Sequence, residues 1–196
     1  MFLVSATIML VLILNPLGNI PIFLTELKSV DPKRHTAIIV REIFFAFLLL
    51  ICFGFFGGYI LHGFAISEQA LGISGGIIIF IIALRLIFPE AKPQEAKQIT
   101  SEPFIVPLAI PISAGPGALV TAMLLGTQHP DKKIILFFAI ALATLICCVI
   151  LLGGRYLSKY LGEKVLIALE RLFGMMLTGM AVQMFLTGID SYFRMH

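Results

Sequence analysis

Two short stretches place proline, asparagine and glycine inside long apolar runs. The first, NPLGNIP, covers residues 15–21, and the second, PLAIPISAGPGA, covers residues 107–118. A proline inside a helix removes a hydrogen bond at a cost of about 3 kcal/mol. Unpaired backbone at membrane depth is tolerated only where protein or a water-filled cavity covers it. Both stretches therefore indicate broken helices that face the interior of a helical bundle.

The residue types around each proline predict how the helix is broken. The residue before a proline is pushed out of the helical region, asparagine favours the N-cap, and proline suits the first helical position. Asn15-Pro16 and Gly115-Pro116 thus each predict the start of a second half-helix near the bilayer midplane. Such a half-helix directs free N–H groups and the positive end of its dipole into the protein. This arrangement is typical of the solute site of a transporter.

The predicted substrate-binding residues come from both breaks and from two polar positions elsewhere. The amides of Asn15 and Asn19 would donate and accept hydrogen bonds with a polar solute, and the glycines would let it approach the backbone. Neither stretch contains an acidic residue, which favours a small polar or anionic solute over a bare cation. The full predicted set is Asn15, Pro16, Gly18, Asn19, Ser113, Gly115, Pro116, Gly117, Gln183 and Arg85.

Each of these positions also has a purely structural interpretation. The two stretches would then be proline kinks whose freed carbonyls are satisfied by neighbouring helices. Arg85 would extend its charge to the cytoplasmic surface, and Gln183 would form an interhelical hydrogen bond. Ser74 and Thr178 would bond back to their own helices. The sequence leaves both interpretations open.

Composition places these stretches in a membrane protein. Of the 196 residues, 59% are hydrophobic and only 13% are charged, and the mean hydropathy is +1.04, which excludes an ordinary soluble domain. Runs of about 20 apolar residues are long enough to cross the bilayer. Six such spans are predicted, at residues 2–24, 43–64, 69–88, 104–126, 134–154 and 167–189.

The distribution of basic residues predicts the orientation of the chain. Eleven of the 14 lysines and arginines lie in or beside the connectors after spans one, three and five, and Lys132, Lys133 and Arg194 lie on the other side. By the positive-inside rule, the first group is cytoplasmic and both termini are periplasmic. Arg41 and Glu42 fall just before span two, where solvated helix ends would explain them.

The two halves of the chain resemble each other weakly. Asn15-Pro16 matches Gly115-Pro116 at an offset of 100, and Gly75 resembles Gly174 at 99. A second alignment places Pro16 and Pro21 on Pro111 and Pro116, so the sequence does not fix the register. Three spans per half would make this an inverted repeat. The predicted fold is therefore all-α, with six transmembrane helices in two inverted three-helix repeats, residues 1–88 and 104–196, joined by a cytoplasmic loop at 89–103. Gly54-xxx-Gly58 and Gly72-xxx-Gly76 predict close helix packing.

Several function classes find no support. The three cysteines lie in apolar runs without a CxxC motif, and the four histidines lack metal-ligand spacing. No nucleophile or phosphate-binding motif occurs, and the basic residues do not form one face for nucleic acid. We therefore expect no enzymatic activity, no cofactor and no metal. The expected partners are a solute, membrane lipid and a second copy of the chain packed through the glycine-rich faces.

Four segments resemble the MarC family of bacterial integral membrane proteins. They are NPLGNIPIF, EPFIVPLAIPISAGPGA, SGGIIIFIIALRLIF and LGEKVLIALERLFGMMLTGMAVQMFLTGI, and the resemblance covers nearly the whole chain. Many members of that family have an aspartate where this chain has Asn15. The resemblance implies a six-span protein of the bacterial inner membrane, similar in fold to amino-acid exporters of the LysE type.

The breaks and the resemblance together predict a carrier or facilitator for a small polar solute, such as an amino acid or related metabolite. It would work by alternating access, as two inverted halves rock about a midplane site. Two other hypotheses remain open at this point. One is a non-transporting scaffold whose small-residue faces pack against another protein, and the other is a channel-like pore.

Overall fold

The computed structural model describes residues 1–27, 30–88 and 114–194, and the regular structure within these ranges is helical. Two short 3₁₀ turns, Pro32–Arg34 and Pro130–Lys132, precede α3 and α6. The helices are α1 (Phe2–Leu14), α2 (Pro16–Glu26), α3 (His35–Gly63), α4 (Glu68–Ile87), α5 (Pro116–Gln128), α6 (Lys133–Leu152) and α7 (Gly154–Phe193).

The described residues cross the membrane several times. Five segments are long and apolar enough to span it, namely Phe2–Ile20, His35–Gly63, Glu68–Ile87, Pro130–Leu152 and Lys164–Phe193. The multi-pass prediction is thus confirmed. The 13 residues of α5 extend only about 20 Å, which is less than the hydrocarbon thickness. The predicted loop 89–103 and the predicted first part of span four lie outside the described residues.

Helical structure extends beyond two of the predicted spans. Helix α3 begins at His35 and not at residue 43. The predicted connector before span six is helical from Gly154, but the non-helical backbone of Gly162 interrupts α7, so this segment consists of two helices joined at a kink. The predicted bounds followed the apolar run alone, whereas helical hydrogen bonding continues into polar sequence at the interface. Within α7, Gly162 has φ 74° and ψ 159°, a conformation that only glycine adopts readily.

The bundle has two distinct ends. The Phe2 ring lies 4.6 Å from the His129 ring between centroids, so the amino-terminus meets the α5–α6 turn. Lys133 Nζ donates to the Phe55 carbonyl at 3.5 Å, which places the last turns of α3 beside them. We call this the outer end, following the predicted orientation. The opposite inner end holds the beginning of α3 and the end of α4.

A core runs along the whole bundle. Leu10, Leu50, Ile79, Ile140 and Leu177 are fully buried, and each comes from a different helix. Large apolar side chains also cover the outside, as expected where the solvent is lipid. Examples of these exposed residues are Phe44, Phe56, Phe80, Phe138 and Leu186.

Glycines set the closest helix contacts. Gly54 and Gly126 bring α3 and α5 together so closely that a methyl group on Gly126 would overlap the Gly54 carbonyl. Gly72 of α4 lies against Gly188 of α7. A methyl group on Gly72 would be 3.6 Å from the Gly188 Cα atom. The packing role predicted for Gly54 and Gly72 is confirmed, whereas Gly58 is exposed.

Replacement of Gly126 by alanine should destabilise the protein by about 1–3 kcal/mol, because the new methyl group would meet backbone that cannot rotate away. The matched control is Gly179→Ala, where nothing lies within 4 Å of the new methyl group. Alanine at that exposed helical position should be neutral or slightly stabilising. Thermal unfolding in detergent measures both changes, and equal midpoints for the two variants would contradict the packing account.

Candidate solute site

The break between α1 and α2 is built by two asparagines. Asn15 has φ 44° and ψ 59°, a left-handed conformation that asparagine tolerates better than most residues. Its Oδ1 accepts a hydrogen bond from the Gly18 N–H at 3.3 Å, which caps α2. Asn19 Nδ2 donates to the Leu14 carbonyl at 3.0 Å, at the end of α1. The two amides thus satisfy backbone groups on both sides of the break.

This geometry matches the prediction that a half-helix begins at Pro16. Asn15 is the cap in front of it, and its side chain is buried, with 8% of the residue exposed. The second proline behaves differently from expectation, since α2 continues through Pro21 to Glu26. One proline in this stretch therefore begins a helix, and the other is accommodated within it.

An acidic residue that neither stretch contains lies against the break. A methyl group placed on Gly18 would come 2.6 Å from Oε1 of Glu170, which belongs to α7. The same methyl group would collide with the Asn15 amide nitrogen. A carboxylate near the first turn of α2 has the sign that the helix dipole favours there. Sequence interpretation missed Glu170, although an acidic residue inside predicted span six was the available signal.

The second half-helix begins where it was predicted to begin. Pro116 is its first residue, and Gly115 precedes it in an extended conformation with φ −58° and ψ 163°. The Gly115 carbonyl accepts from the Ala118 N–H at 2.9 Å. A methyl group on Gly117 would lie 3.5 Å from Ile13 Cγ2, and Ile13 is two residues before Asn15. The two half-helices therefore begin close together. Ser113 lies outside the described residues.

The space at the break is very small. A cavity of about 10 Å³ separates the break from α3 and α6, which is about the volume that one water needs. The break is thus closed to a solute in this structure. The cavity is lined by Leu14, Pro16, Asn19, Ile43, Ala46, Thr144, Cys147 and Leu151.

A much larger cavity opens between α1, α4, α5 and α7 in the outer half. Its volume is about 480 Å³, within the range of small-molecule sites. The described lining has one carboxylate, Glu68, and contains no lysine, arginine or histidine. Its other polar members are Gln69, Gln128, Gln183, Thr121, Thr187 and Ser191, and three methionines, Met9, Met180 and Met184, are among its apolar members.

Two hydrogen-bonded residues define the wall and the base of this outer cavity. Gln183 Nε2 donates to Thr187 Oγ1 at 3.3 Å, one turn along α7. At the base, the buried Thr121 donates to the Gly117 carbonyl at 2.8 Å. Gly117 belongs to the first turn of α5, so this bond lies within α5, and that helix carries both the base of the outer cavity and the start of the second half-helix. The outer cavity and the small cavity at the first break have no described lining residue in common.

The predicted site residues fall into three groups. Gly117 of the second break lies against Ile13, just before the first break, and Gln183 lies in the outer cavity. The bond of Gln183 to Thr187 lies within α7, so the interhelical bond suggested from the sequence is not the one observed. Arg85 is exposed in the last turn of α4. Ser74 and Thr178 donate to carbonyls of their own helices, as predicted.

The prediction that solvated helix ends explain Arg41 and Glu42 is wrong for Glu42. That side chain is fully buried, because α3 begins about two turns earlier than predicted and Glu42 therefore lies inside the packed helix and not at its solvated end. Arg41 lies beside it with its side chain 40% exposed. Across the described ranges, no group of three or more histidine, cysteine or acidic side chains is placed to hold a metal ion.

Comparison with known proteins gives a consistent result along the whole chain. The sequence model of the MarC family of integral membrane proteins matches residues 1–193. The Escherichia coli K12 inner membrane protein YhgN is 46% identical over 193 residues, covering 98% of each chain. A membrane protein of Buchnera aphidicola is 44% identical over 97% of this chain and 98% of its own. One from Methanocaldococcus jannaschii is 32% identical over 90% of each. No solved structure matches.

Replacement of Asn15 should lower stability by an amount that depends on the new residue. Asn15→Ala loses the cap and places a Cβ-bearing residue without a local hydrogen bond in the left-handed region, at a combined cost of about 1–3 kcal/mol. Asn15→Gly loses the cap alone and should cost a few tenths of a kcal/mol. Thermal unfolding in detergent should rank parent, glycine variant and alanine variant in that order. An alanine variant at least as stable as the glycine variant would rule out the left-handed cap.

Replacement of Gly18 by alanine tests whether the break is a precise polar arrangement. The new methyl group would push aside the ends of two flexible side chains, those of Asn15 and Glu170. Because no backbone atom is among its near contacts, we expect the fold to survive with a loss of at most about 1–2 kcal/mol. The ligand concentration that gives half of the maximal stabilisation against unfolding should nevertheless rise at least tenfold. Unchanged ligand response would show that the break does not contribute to binding.

Proposed function

The chain belongs to the MarC family of integral membrane proteins, and from that premise we propose that it carries a small polar solute across the bacterial inner membrane. The carrier would alternate access to a site between the outer cavity and the two helix breaks. The observation that carries the proposal is the outer cavity, about 480 Å³ in volume and lined by amides and hydroxyls. No enzymatic step and no cofactor enter this proposal.

The chemistry of the cavity supports a neutral polar or zwitterionic solute. Three glutamine amides and three hydroxyls offer both donors and acceptors, and the single charged group of the described lining is the Glu68 carboxylate. An anion would meet no cationic side chain there. We therefore favour amino acids and related metabolites within the broader class of polar or anionic solutes that the sequence indicated.

Packing between the two halves supports the inverted repeat. A methyl group on Gly76 would lie 2.9 Å from the Ala181 carbonyl oxygen and 3.0 Å from Phe185 Cβ. A methyl group on Gly174 would lie 3.1 Å from the Ala83 carbonyl oxygen and 2.9 Å from Ile87 Cγ1. Gly76 and Gly174 are 98 residues apart. The same separation relates Ala83 to Ala181 and Ile87 to Phe185, so exchange of the two halves converts the first contact into the second. Such a reciprocal contact is what a two-fold exchange of α4 and α7 requires.

The pairing of the other helices has the same property. Helix α5 packs on α3 and on α4, and α2 packs on α6 and on α7. If the first half is exchanged for the second, α2 becomes α5, α3 becomes α6 and α4 becomes α7, so each contact of α5 converts into a contact of α2. The two half-helices α2 and α5 also begin near one another and run toward opposite ends. We propose that these halves rock against each other during transport.

The structure corresponds to one state of this proposed cycle. The outer cavity is open, while the space at the break holds only about 10 Å³. Rocking of the halves would widen the break toward the inner end and close the outer cavity. We place the outer end in the periplasm together with both termini, since eleven basic residues flank the opposite side. The location in the inner membrane follows the description of the relative YhgN.

A second copy of the chain would pack on surfaces that this chain leaves exposed. Of the predicted glycine-rich faces, Gly54 and Gly72 are buried against α5 and α7 of the same chain, whereas Gly58 is exposed. The exposed apolar faces of α4 and α7 remain for lipid or a second copy. The proposed carrier does not depend on which of them covers these faces.

A ligand screen tests the proposal. Purified protein heated with individual amino acids should show a saturable rise in unfolding midpoint, since a ligand at 100 times its Kd adds about 2.7 kcal/mol. Gln183→Leu should weaken that response about tenfold through loss of one or two hydrogen bonds. The control is Val182→Leu, which lies in an apolar groove between α4 and α7. It should respond like the parent.

Uptake of the identified amino acid into proteoliposomes should then be similar for the parent and Val182→Leu and weaker for Gln183→Leu. A protein that shows no saturable shift with any solute, and no uptake above empty liposomes, would favour the scaffold hypothesis. Uptake that never saturates with concentration would favour a pore. Equal responses of the Gln183 and Val182 variants would remove the outer cavity from the binding site.

A further inference from the structure

Glu42 is the one fully buried acidic residue among those whose exposure the structure describes. It lies about two turns into α3, near the inner end of the candidate span His35–Gly63, and none of its surface is exposed. A buried ionised carboxylate is expensive unless it is paired and hydrogen-bonded. Ionisable residues that face the interior of a transmembrane bundle commonly mark proton or ion pathways. The contacts of Glu42 therefore need an explanation beyond packing.

The pairing of Glu42 is incomplete. Its Oε1 lies 3.4 Å from Arg41 Nη2, which is long for a charge-assisted hydrogen bond. Its Oε2 is buried and has no hydrogen-bond partner among the described residues. Arg41 Nε is likewise buried without a partner in those ranges. A permanently ionised carboxylate would be poorly stabilised by this arrangement, whereas a neutral carboxyl group would avoid most of the cost.

Glu42 lies on the same face of α3 as the wall of the small cavity. Ile43 and Ala46 line that cavity opposite Pro16 and Asn19 of the break. Ala46 is one helical turn beyond Glu42, so the two side chains point in similar directions. Widening of the break would therefore bring water toward the Glu42 carboxyl group. Closing it would remove that water again.

Few other charged or titratable groups face this region. On α3 itself there are Arg41 and His35, and His35 lies two turns before Glu42 with its ring Nε2 2.9 Å from the Val30 carbonyl oxygen. On α6, Cys147 lines the same small cavity. Helix α5 has no ionisable residue, and α2 has only Glu26. Lys33 and Arg34 of the preceding 3₁₀ turn are exposed. The protonation state of Glu42 is thus governed mainly by Arg41 and by access of water.

We propose that Glu42 is a proton-binding site that takes up and releases one proton as the break closes and opens. With the break open, the carboxyl O–H bond breaks and the proton passes to water, leaving a carboxylate beside Arg41 and a hydronium ion. With the break closing, the carboxylate accepts a proton from hydronium, and a neutral carboxyl group is buried. As a statement about transport, this inference rests on the proposed carrier, and it identifies the proton as the ion that is coupled to solute movement.

Glu170 serves as the matched control, since it is also an intramembrane glutamate near the break. It is only partly buried, and it takes part in an interaction of its own. It lies against Gly18 at the first turn of α2, where helix dipole and N–H groups favour the ionised form. We therefore expect Glu170 to remain charged while Glu42 exchanges its proton.

Infrared difference spectroscopy during a pH titration tests the proposal without any solute. The parent protein in lipid should show the carbonyl stretch of a buried protonated carboxyl group, which disappears as pH rises. Glu42→Gln should lose this band completely, and Glu170→Gln should keep it. A titrating band of the parent's amplitude in Glu42→Gln, or its absence from the parent, would overturn the proposal.

A second variant keeps the test decisive if Glu42→Gln fails to fold. In protein whose glutamates carry ¹³C at the side-chain carboxyl, the parent band should shift to lower frequency. In Glu42→Asp labelled in the same way, the band should remain at the unlabelled frequency, because the titrating group is now an aspartate. A band that still shifts with the glutamate label would assign the proton to another residue and end the inference.

Proteoliposomes with a pH gradient separate this inference from the proposed function. A mixture of neutral amino acids is the probe. The parent should accumulate at least one of them above its external concentration, and Glu42→Gln should only equilibrate it. If Glu42→Gln accumulates it as the parent does, proton coupling at Glu42 is wrong while the carrier stands. If the parent moves no amino acid, the proposed carrier fails, and the infrared titration alone decides whether Glu42 binds a proton.

Discussion

A backbone that leaves its helical path at membrane depth must find hydrogen-bond partners inside the protein. The break at Asn15 meets this constraint locally, because Asn15 caps the helix that follows and Asn19 satisfies a carbonyl of the helix before it. Both side chains are therefore already hydrogen-bonded to the backbone, whether or not they also contact a solute. This self-sufficiency explains why two asparagines, and not two charged residues, flank Pro16. It also lets the break exist with almost no space around it.

The rest of the bundle is arranged around that break. Glycine contacts between α3 and α5 and between α4 and α7 hold the helices close together. The polar outer cavity lies between α1, α4, α5 and α7. Thr121, in its lining, is one turn along α5 from Gly117, at the start of that helix. In the proposed carrier, movement at the second break would therefore reach the outer cavity over a single turn of α5.

Two acidic residues give the inner part of the region a character that neither proline stretch has. Glu170 approaches the first turn of α2, and Glu42 is enclosed behind the wall of the small cavity. Their environments differ, since one carboxylate lies at a helix end that favours negative charge and the other lies in an apolar interior. Two glutamates are thus expected to behave differently: Glu170 remains ionised, and Glu42 takes up and releases a proton.

The sequence by itself determined the membrane class, the approximate helices and the positions at which both half-helices begin. These follow from local physics, because apolar run length, proline geometry and asparagine capping act within a few residues. Only the tertiary structure decided that Glu42 is buried, that Glu170 reaches Gly18, and that Gln183 lines a cavity closed off from the first break. The environment of a side chain depends on residues far away in the chain and on the rotation of each helix about its axis. A difference of two turns in where α3 begins was enough to move Glu42 from predicted solvent to the interior.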